Sequence, residues 1–499
     1  MANPLRRLWN GIKSMMGLDG PRAWPIYNRS QQRPRIAASY DVARSRDAHW
    51  VPADLLSAAQ ANDPHTRAEL RRKSRYETAN NSHCRGVTLT IANDLVGMGP
   101  QLQVTLPGVE IEVNETTVRN EEIIETYWQQ WADEVGLAEK LNTMALSKGI
   151  DGESFAMFVT NKKLQSPIKL DLTLIETDRV TDMGLGSLKN QSERWADGIE
   201  FDAAGNPLWY TILRQYPGES WSSSPMQYDR VSAANVLHWF RKDRPGQVRG
   251  VPEILAALPL FGQLRRYTLA VIEAAETAAD FAAILYTDVR PEEVDNADPW
   301  DSVEINKGTM TTVPAGWKMS QFEAEQPTAT HDQFQQTILR EIFHCLNMPY
   351  SVGSGDYSKD SYSSGRLGLQ TYLRIVRQQR HHMKLSVLDR IFAAWLREFI
   401  LLDIAPVAPV DLLGMTHDWY FDPFASIDPV KDATADEKDL ANGVTTQMEL
   451  CAERKRDWRK INRQRAREIA DQKAKGIYVP PAGTAMPPDS QDGGQANAA

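Results

Sequence analysis

The stretch His238-Trp-Phe-Arg-Lys-Asp-Arg-Pro-Gly-Gln-Val-Arg-Gly-Val-Pro252 joins a β-rich region to a long alanine-rich segment. Upstream of it, Gly198-Ile199-Glu200-Phe201 and Leu208-Trp209-Tyr210-Thr211-Ile212-Leu213 flank the turn-rich spacer Asp202-Ala-Ala-Gly205-Asn206-Pro207, a pattern that predicts a hairpin. Downstream, Pro252 suits a first helical turn, where its missing N–H costs nothing, and the spacing predicts a helix running to Tyr286. That is roughly 35 residues, or about 50 Å, with a kink or restart expected at Pro259. Small residues recur at helical spacing along it: Ala270, Ala274, Ala278 and Ala282 on one line, Ala275, Ala279 and Ala283 on the next. An ordinary buried core helix would show the same stripe. A membrane span is not expected, because Arg265, Arg266, Glu273, Glu276 and Asp280 break every apolar window of the ~20 residues that crossing needs.

At 499 residues and 42% hydrophobic content the chain has material for two to four domains with real cores. The net charge of −9 excludes a generally basic nucleic-acid binder. The charge is uneven: residues 1–75 hold 14 Lys and Arg against 6 Asp and Glu, so a basic arm precedes an acidic body. Such an arm suits docking to something acidic, or simply a solvated tail. Leu5, Leu8, Trp9 and Ile12 fall at helical spacing there, without the apolar run of a signal peptide, so the cytosol is the expected compartment. Cys84, Cys345 and Cys451 are far apart and odd in number, which suits free thiols in a reducing compartment.

Motifs of catalysis are missing from the sequence. No glycine is followed by lysine, so there is no Walker A loop and no P-loop ATPase. His-Glu-x-x-His, paired Cys-x-x-Cys and Gly-x-Ser-x-Gly are absent too. His83-Cys84 and His344-Cys345 read as local packing, and His381-His382 as a polar helix face. Asp151, Glu153, Asp171, Glu176, Asp178 and Asp182 invite comparison with a metal-dependent nuclease, but they alternate with strand formers and read better as solvated strand faces. No cofactor and no metal are expected.

Several separated motifs stand out along the chain. Near the N-terminus these are Arg75-Tyr76-Glu77, Asn80-Asn81, Arg85-Gly86 and Asn93-Asp94-Leu95-Val96-Gly97. In the middle they are the hairpin and the joint Arg244-Pro245-Gly246-Gln247 to Arg249-Gly250-Val251-Pro252. Further on come Asn347-Met348-Pro349-Tyr350, Tyr362-Ser363-Ser364, Arg366, Gly368-Leu369, Ile427-Asp428-Pro429 and Arg456-Asp457. Together these motifs resemble the lambda-like family of tailed-phage portal proteins, and the resemblance runs from about Arg71 to about Arg467. Asn347 departs from it, standing where the family usually carries glycine.

The resemblance implies an α+β portal fold with a β-rich wing, two long antiparallel stem helices, a small α/β clip and a helical crown, twelve copies forming a ring. The implied map is a basic arm at 1–44, wing at 45–250, first stem helix at 251–286, clip at 287–330 and second stem helix at 331–348. A channel loop follows at 349–366, then a return helix and wing at 367–425, crown at 426–478 and a disordered tail at 479–499. Within it, strands are expected at Ser302 to Asn306 and Thr309 to Val313. Phe334, Ile338, Ile342, Phe343 and Leu346 form one side of the second stem helix. The small, polar channel loop suits contact with passing DNA, and Ser354, Lys359, Ser363, Ser364 and Arg366 are its candidate residues.

A duplex sliding through a channel must not stick, because each cation paired with a phosphate adds affinity through counterion release. Glu273, Glu276, Asp280, Asp332 and Glu341 are accordingly the candidate wall charges, and Lys359 and Arg366 the transient phosphate contacts. Glu292, Glu293, Asp295, Asp298 and Asp301 are the candidate docking charges of the clip. Implied partners are further copies of the chain, double-stranded DNA without sequence preference, the terminase large subunit, head-completion and adaptor proteins, and the major capsid and scaffold proteins. The implied location is the portal vertex of the virion, after assembly in the host cytoplasm. Two rivals stand beside this reading: a monomeric nucleic-acid-binding module, and a nuclease or protease of head maturation.

Overall fold

Asp63 opens the first long helix: its carboxylate accepts the backbone N–H groups of His65 and Thr66, and Pro64 fills the first helical position. This computed structural model describes residues 56–106, 120–181, 194–217, 227–280, 284–287, 317–320, 331–402, 415–424 and 428–479. Of two units, Met1–Leu55 and Leu56–Ala499, all of these belong to the second. The expected N-terminal arm, the tail from Pro480 and the strands expected between Ser302 and Val313 lie outside the described residues.

Helices α1 (Pro64–Asn80) and α2 (Ser82–Val96) meet at Asn81, whose side chain caps α2. Strand β1 (Gln101–Thr105) is followed by α3 (Asn120–Glu134) and α4 (Leu137–Asp151). Strands β2 (Glu153–Thr160) and β3 (Leu170–Ile175) come next, then the short β4 (Arg194–Ala196) and β5 (Ile199–Phe201). Strands β6 (Pro207–Leu213), β7 (Tyr228–Ser232) and β8 (Val236–Phe240) complete two antiparallel sheets, ordered β3-β2-β8 and β4-β5-β6-β7. The hairpin forms where the sequence predicts it, with Ile199 opposite Tyr210 and a register shift at Glu200/Phe201. Phe155, Ile175, Val236, Ile199, Tyr210 and Ile212 fill a small core between the sheets.

The joint departs from expectation. Pro252 lies outside the helix, a 3₁₀ turn at Leu255–Ala257 intervenes, and helix α5 spans only Leu258–Asp280, with Pro259 in its first turn. The expected restart at Pro259 is therefore where the helix begins. Its other end is also shorter than the expected 286, because Ile284–Thr287 is a strand, β9, paired antiparallel with β10 (Trp317–Ser320). Ile-Leu-Tyr-Thr is a run of β formers, and pairing with Trp317-Lys-Met-Ser outweighs the alanine rhythm that precedes it.

Helix α6 (His331–Cys345) ends in a Schellman turn: Met348 N–H donates to Phe343 C=O and Asn347 N–H to His344 C=O, at 2.9 Å each. Asn347 sits there at φ +53°, in the left-handed region, and Asn is the side chain that tolerates it best after glycine. The segment expected as one loop at 349–366 instead contains helix α7 (Tyr350–Ser354) and the first turn of α8 (Tyr362–Met383). The expected single return helix is one continuous helical run in which a π turn at Lys384–Leu388 joins α8 to α9 (Asp389–Leu401). Strand β11 (Thr416–Tyr420) pairs with β1. Helices α10 (Pro429–Ala441), α11 (Gln447–Glu453) and α12 (Trp458–Ala474) follow.

The main core is aromatic. Trp128 packs edge-on against Phe392, Trp395 and Trp419 with centroids 5.3–5.6 Å apart, and lies 4.9 Å from Trp131. Trp131, Trp395 and Phe392 are buried with it, so α3, α9 and β11 are locked together. No helix among the described residues is long and apolar enough to cross a membrane.

Candidate functional site

The scattered motif residues converge on a buried knot of charge. Gly152 and Gly250 let two backbones touch, which places Glu153 at the start of β2 beside Arg249 of the joint. Arg249 Nε donates to both Glu153 oxygens at 3.0 and 2.9 Å, and Nη2 adds a bond of 2.8 Å. Its Nη1 reaches Val180 C=O at 3.0 Å and, on Asp197, the backbone C=O at 2.7 Å and a carboxylate oxygen at 2.9 Å. Both side chains are essentially sealed from solvent, at 1% and 0% exposure. Burial works against the Glu153 charge, yet the charge of Arg249 and the His238 hydrogen bond hold its carboxyl well below the usual range. His238 is stacked between Phe155 and Phe240, with Nε2 3.0 Å from Glu153 and Nδ1 3.3 Å from the Tyr210 hydroxyl. Burial lowers its pKa and keeps the ring neutral, so Nε2–H donates to Glu153 and Nδ1 accepts from Tyr210.

One layer outward, α1 contributes Arg67, Arg71 and Arg75. Arg67 pairs with Asp197. Arg71 meets Asp178 at 2.5 Å, and Arg75 joins Asp178 at 2.7 Å to Asp151 at 2.7 and 2.8 Å. Tyr216 closes the group with a 3.1 Å bond to Asp178. The carboxylates read from sequence as solvated strand faces are thus mostly ion-paired: Asp151, Glu153 and Asp178 belong to this knot, and Asp171 pairs with Lys140. Glu176 is exposed, and Asp182 lies outside the described residues. Among the described residues no three His, Cys, Asp or Glu side chains group as a metal site. Cys84 is fully buried, 3.6 Å from the Thr78 hydroxyl. His382, read as part of a polar face, accepts the Trp239 indole N–H at 3.1 Å.

Leading out of the knot, α5 packs on α6. Tyr267 stacks on His331 at 5.4 Å and meets Phe334 edge-on at 4.9 Å, while Arg265 bonds Glu77 of α1 at 2.6 Å. Phe261 and Leu264 are buried at the base of α5, whereas Leu269 and Ile272 are about half exposed further along. Glu273 and Glu276 on α5, and Asp332 and Glu341 on α6, are exposed. Asp280 ends α5, and the five clip carboxylates Glu292, Glu293, Asp295, Asp298 and Asp301 lie outside the described residues. Of the channel-loop candidates, Ser354 caps its own helix by donating to Tyr350 C=O. Ser364 forms a reciprocal capping box with Ser361. Ser363 is exposed and Arg366 half-buried on α8. Lys359 is on the connecting loop, 2.8 Å from Gln336 and 3.8 Å from Asp332. The structure therefore brings Lys359 and Asp332 together, and ties the loop to α6.

A third cluster secures α12. Arg459 bonds Glu121 at 2.5 Å and lies 4.0 Å from Glu125, which accepts the Val104 N–H at 2.8 Å. Burial, aided by Asp457 and Glu121 and opposed by the Val104 hydrogen bond and Arg459, pushes the Glu125 carboxyl up to about 7. Its pKa is raised above the unfolded value, so its contribution favours the fold at low pH and is lost as pH rises from about 4.5 to about 7. Glu125→Gln is expected to flatten that slope and to stabilise the protein by about 2–3 kcal/mol at pH 8. Urea unfolding at pH 5 and pH 8 checks it; an unchanged slope refutes the assignment.

Comparison with known proteins follows the same motifs. The family model described as phage portal protein, lambda family, matches residues 44–380. Portal protein B of Escherichia phage lambda is 19% identical over 402 residues, covering 72% of this chain and 75% of that protein. The portal protein of Escherichia phage N15 is 21% identical over 365 residues, covering 66% of each. Among solved structures, the chain is similar to the neck of a native gene transfer agent particle computed with C12 symmetry, with a TM-score of 0.42 at 12% identity over 78% of this chain and 93% of the other. The neck of an empty particle, computed with C6 symmetry, gives 0.44 at 14% identity over the same shares. The family match takes in the Arg75 motif, the hairpin, the Arg249 joint and the α5–α6 pair, and on that ground this chain belongs to the lambda family of phage portal proteins.

Proposed function

We propose that this chain is the subunit of a homo-oligomeric ring, twelve copies around a channel, set at one vertex of a phage head. Double-stranded DNA is packaged and ejected through that ring, and the terminase large subunit, then head-completion and adaptor proteins, dock on it. The family's proteins are structural components of the virion and not enzymes. The observation that carries the ring is the α5–α6 pair: its base is anchored in the core while Leu269, Ile272 and Phe334 stay about half exposed. Apolar side chains lined along one helix pair are what a second copy covers. The exposed Glu273, Glu276, Asp332 and Glu341 give the pair acidic groups that repel a duplex. Lys359 and Arg366 supply the transient phosphate contacts.

Mass measurement of the purified protein in solution tests the ring; a monomer at every concentration overturns it. Lys359→Ala combined with Arg366→Ala is expected to leave rings intact and to reduce DNA-filled heads about tenfold, the effect of losing one or two phosphate contacts per subunit. Normal filling by that double variant removes the 349–366 segment from the DNA path. Assay of the same preparation for cleavage of DNA or peptide tests the rival maturation-enzyme reading.

A further inference from the structure

Helices α10 and α12 bury none of their residues. A 13-residue helix with no buried side chain is marginal in water, so α10 needs a cover. We propose that α10 of one copy packs against α12 of the next, with Glu437 opposite Arg465. The inference rests on the ring reading above and adds to it a named contact. The two helices carry matching stripes. On α10, Val430, Ala433, Glu437 and Leu440 recur at helical spacing on one face, and all four are exposed, Val430 at 75% and Leu440 at 42%. Val444, 74% exposed, continues the apolar edge past the helix end. On α12, Trp458, Ile461 and Ile469 share a face and are half-buried, and Arg465 stands exposed among them.

Each stripe thus sets one charge among apolar side chains, acidic on α10 and basic on α12. The helices as wholes differ in the same sense: α10 has four carboxylates against two lysines, and α12 six cations against two carboxylates. The chain does not use these faces on itself. Arg459 and Arg463 bind Glu121 and Glu122 of α3 from another side of α12, and Arg454 holds α10 through Asp436. Neither Glu437 nor Arg465 makes an ion pair among the described residues. A second copy supplies what each stripe lacks, an apolar cover with the opposite charge at its middle. Because the two stripes differ, each copy uses both, one on either neighbour. Such a head-to-tail contact repeats until the circle closes.

The test uses the full chain and measures mass in solution across a concentration series. Glu437→Arg and Arg465→Glu are each expected to raise the concentration for half assembly about tenfold or more, because like charges then meet at every contact. Both side chains are exposed, so both variants fold. Mixed in equal amounts, the two variants are expected to restore rings, since in an alternating circle each meets the opposite charge on both neighbours. The doubly reversed chain restores them by itself. A contact made within one chain would be repaired in the double variant and not in the mixture, so a mixture no better than its components overturns the proposal. Single variants that assemble like wild type overturn it too, and leave the ring standing. A wild type that is monomeric at every concentration overturns the ring reading and this contact with it.

Discussion

Replacing Arg249 by alanine is expected to destabilise the protein by about 3–5 kcal/mol, a large part of the 5–15 kcal/mol that holds most domains folded. The loss is greater than that of a surface ion pair because Glu153 stays behind. It is wholly buried, and without Arg249 only the His238 ring and the Gly250 N–H remain to meet its charge, at 3.0 Å each. Asp197 and the Val180 carbonyl lose a donor in the same stroke. The effect has a pH signature. In the wild type the Glu153 pKa is depressed, so its contribution is present above the unfolded value and is lost only as pH falls through the much lower folded one. In the variant burial is opposed only by the His238 and Gly250 hydrogen bonds and raises that pKa, so the deficit grows as pH rises from 5 to 8. Arg249→Met with Glu153→Met removes both charges and is expected to recover part of the loss. Urea unfolding of the three proteins measures it; a single variant within 1 kcal/mol of wild type contradicts the buried-charge account.

What the sequence made legible was local. The hairpin follows from β formers on either side of a turn, and its partners are near in sequence, as Ile199 and Tyr210 are. The helix pair follows from 3.6-residue rhythm, and Pro259 marks its true start. The rhythm also misled, since alanines at 282 and 283 extend the pattern toward a segment that strand pairing claims from Ile284. The capping box that starts α8 escaped because its third helical position is Ser364 and not the Glu or Gln of the usual signal. Helix α7 was hidden by the small, polar composition of Tyr350-Ser-Val-Gly-Ser, although Pro349 stands at its cap position.

The charge knot was illegible for a different reason. Arg249 and Glu153 are 96 residues apart and Arg71 and Asp178 are 107 apart, so no window of sequence contains a pair. Strand alternation made Glu153 look solvated, while the covering side chains come from the joint and from β8. The one available signal was Arg249-Gly250 itself, an arginine followed by a glycine at the entrance to a helix.

That glycine carries the second large effect. A Cβ at Gly250 would stand 2.1 Å from the Gly152 carbonyl oxygen, 2.6 Å from its carbon and 2.8 Å from Glu153 Cβ. The Gly250 backbone is not in the left-handed region, so alanine is refused there by space alone. The contact is reciprocal: a Cβ on Gly152, which is at φ +90°, would meet the Val251 carbonyl carbon at 2.1 Å. Backbone against backbone leaves no flexible side chain to yield, so one segment must move. Any movement lengthens the Gly250 N–H bond to Glu153 and the Glu253 N–H bond to Gly149, and loosens the buried Lys148–Glu253 pair. Gly250→Ala is therefore expected to cost about 3 kcal/mol or more, at the upper end of overpacking effects. Gly262→Ala is the control. It lies within α5, nothing lies within 4 Å of its would-be Cβ, and alanine there is expected to stabilise by about 0.5–1 kcal/mol. Two identical substitutions 12 residues apart thus carry opposite signs. A Gly250→Ala protein as stable as wild type would mean that the joint tolerates displacement and does not fix the direction in which α5 leaves the knot.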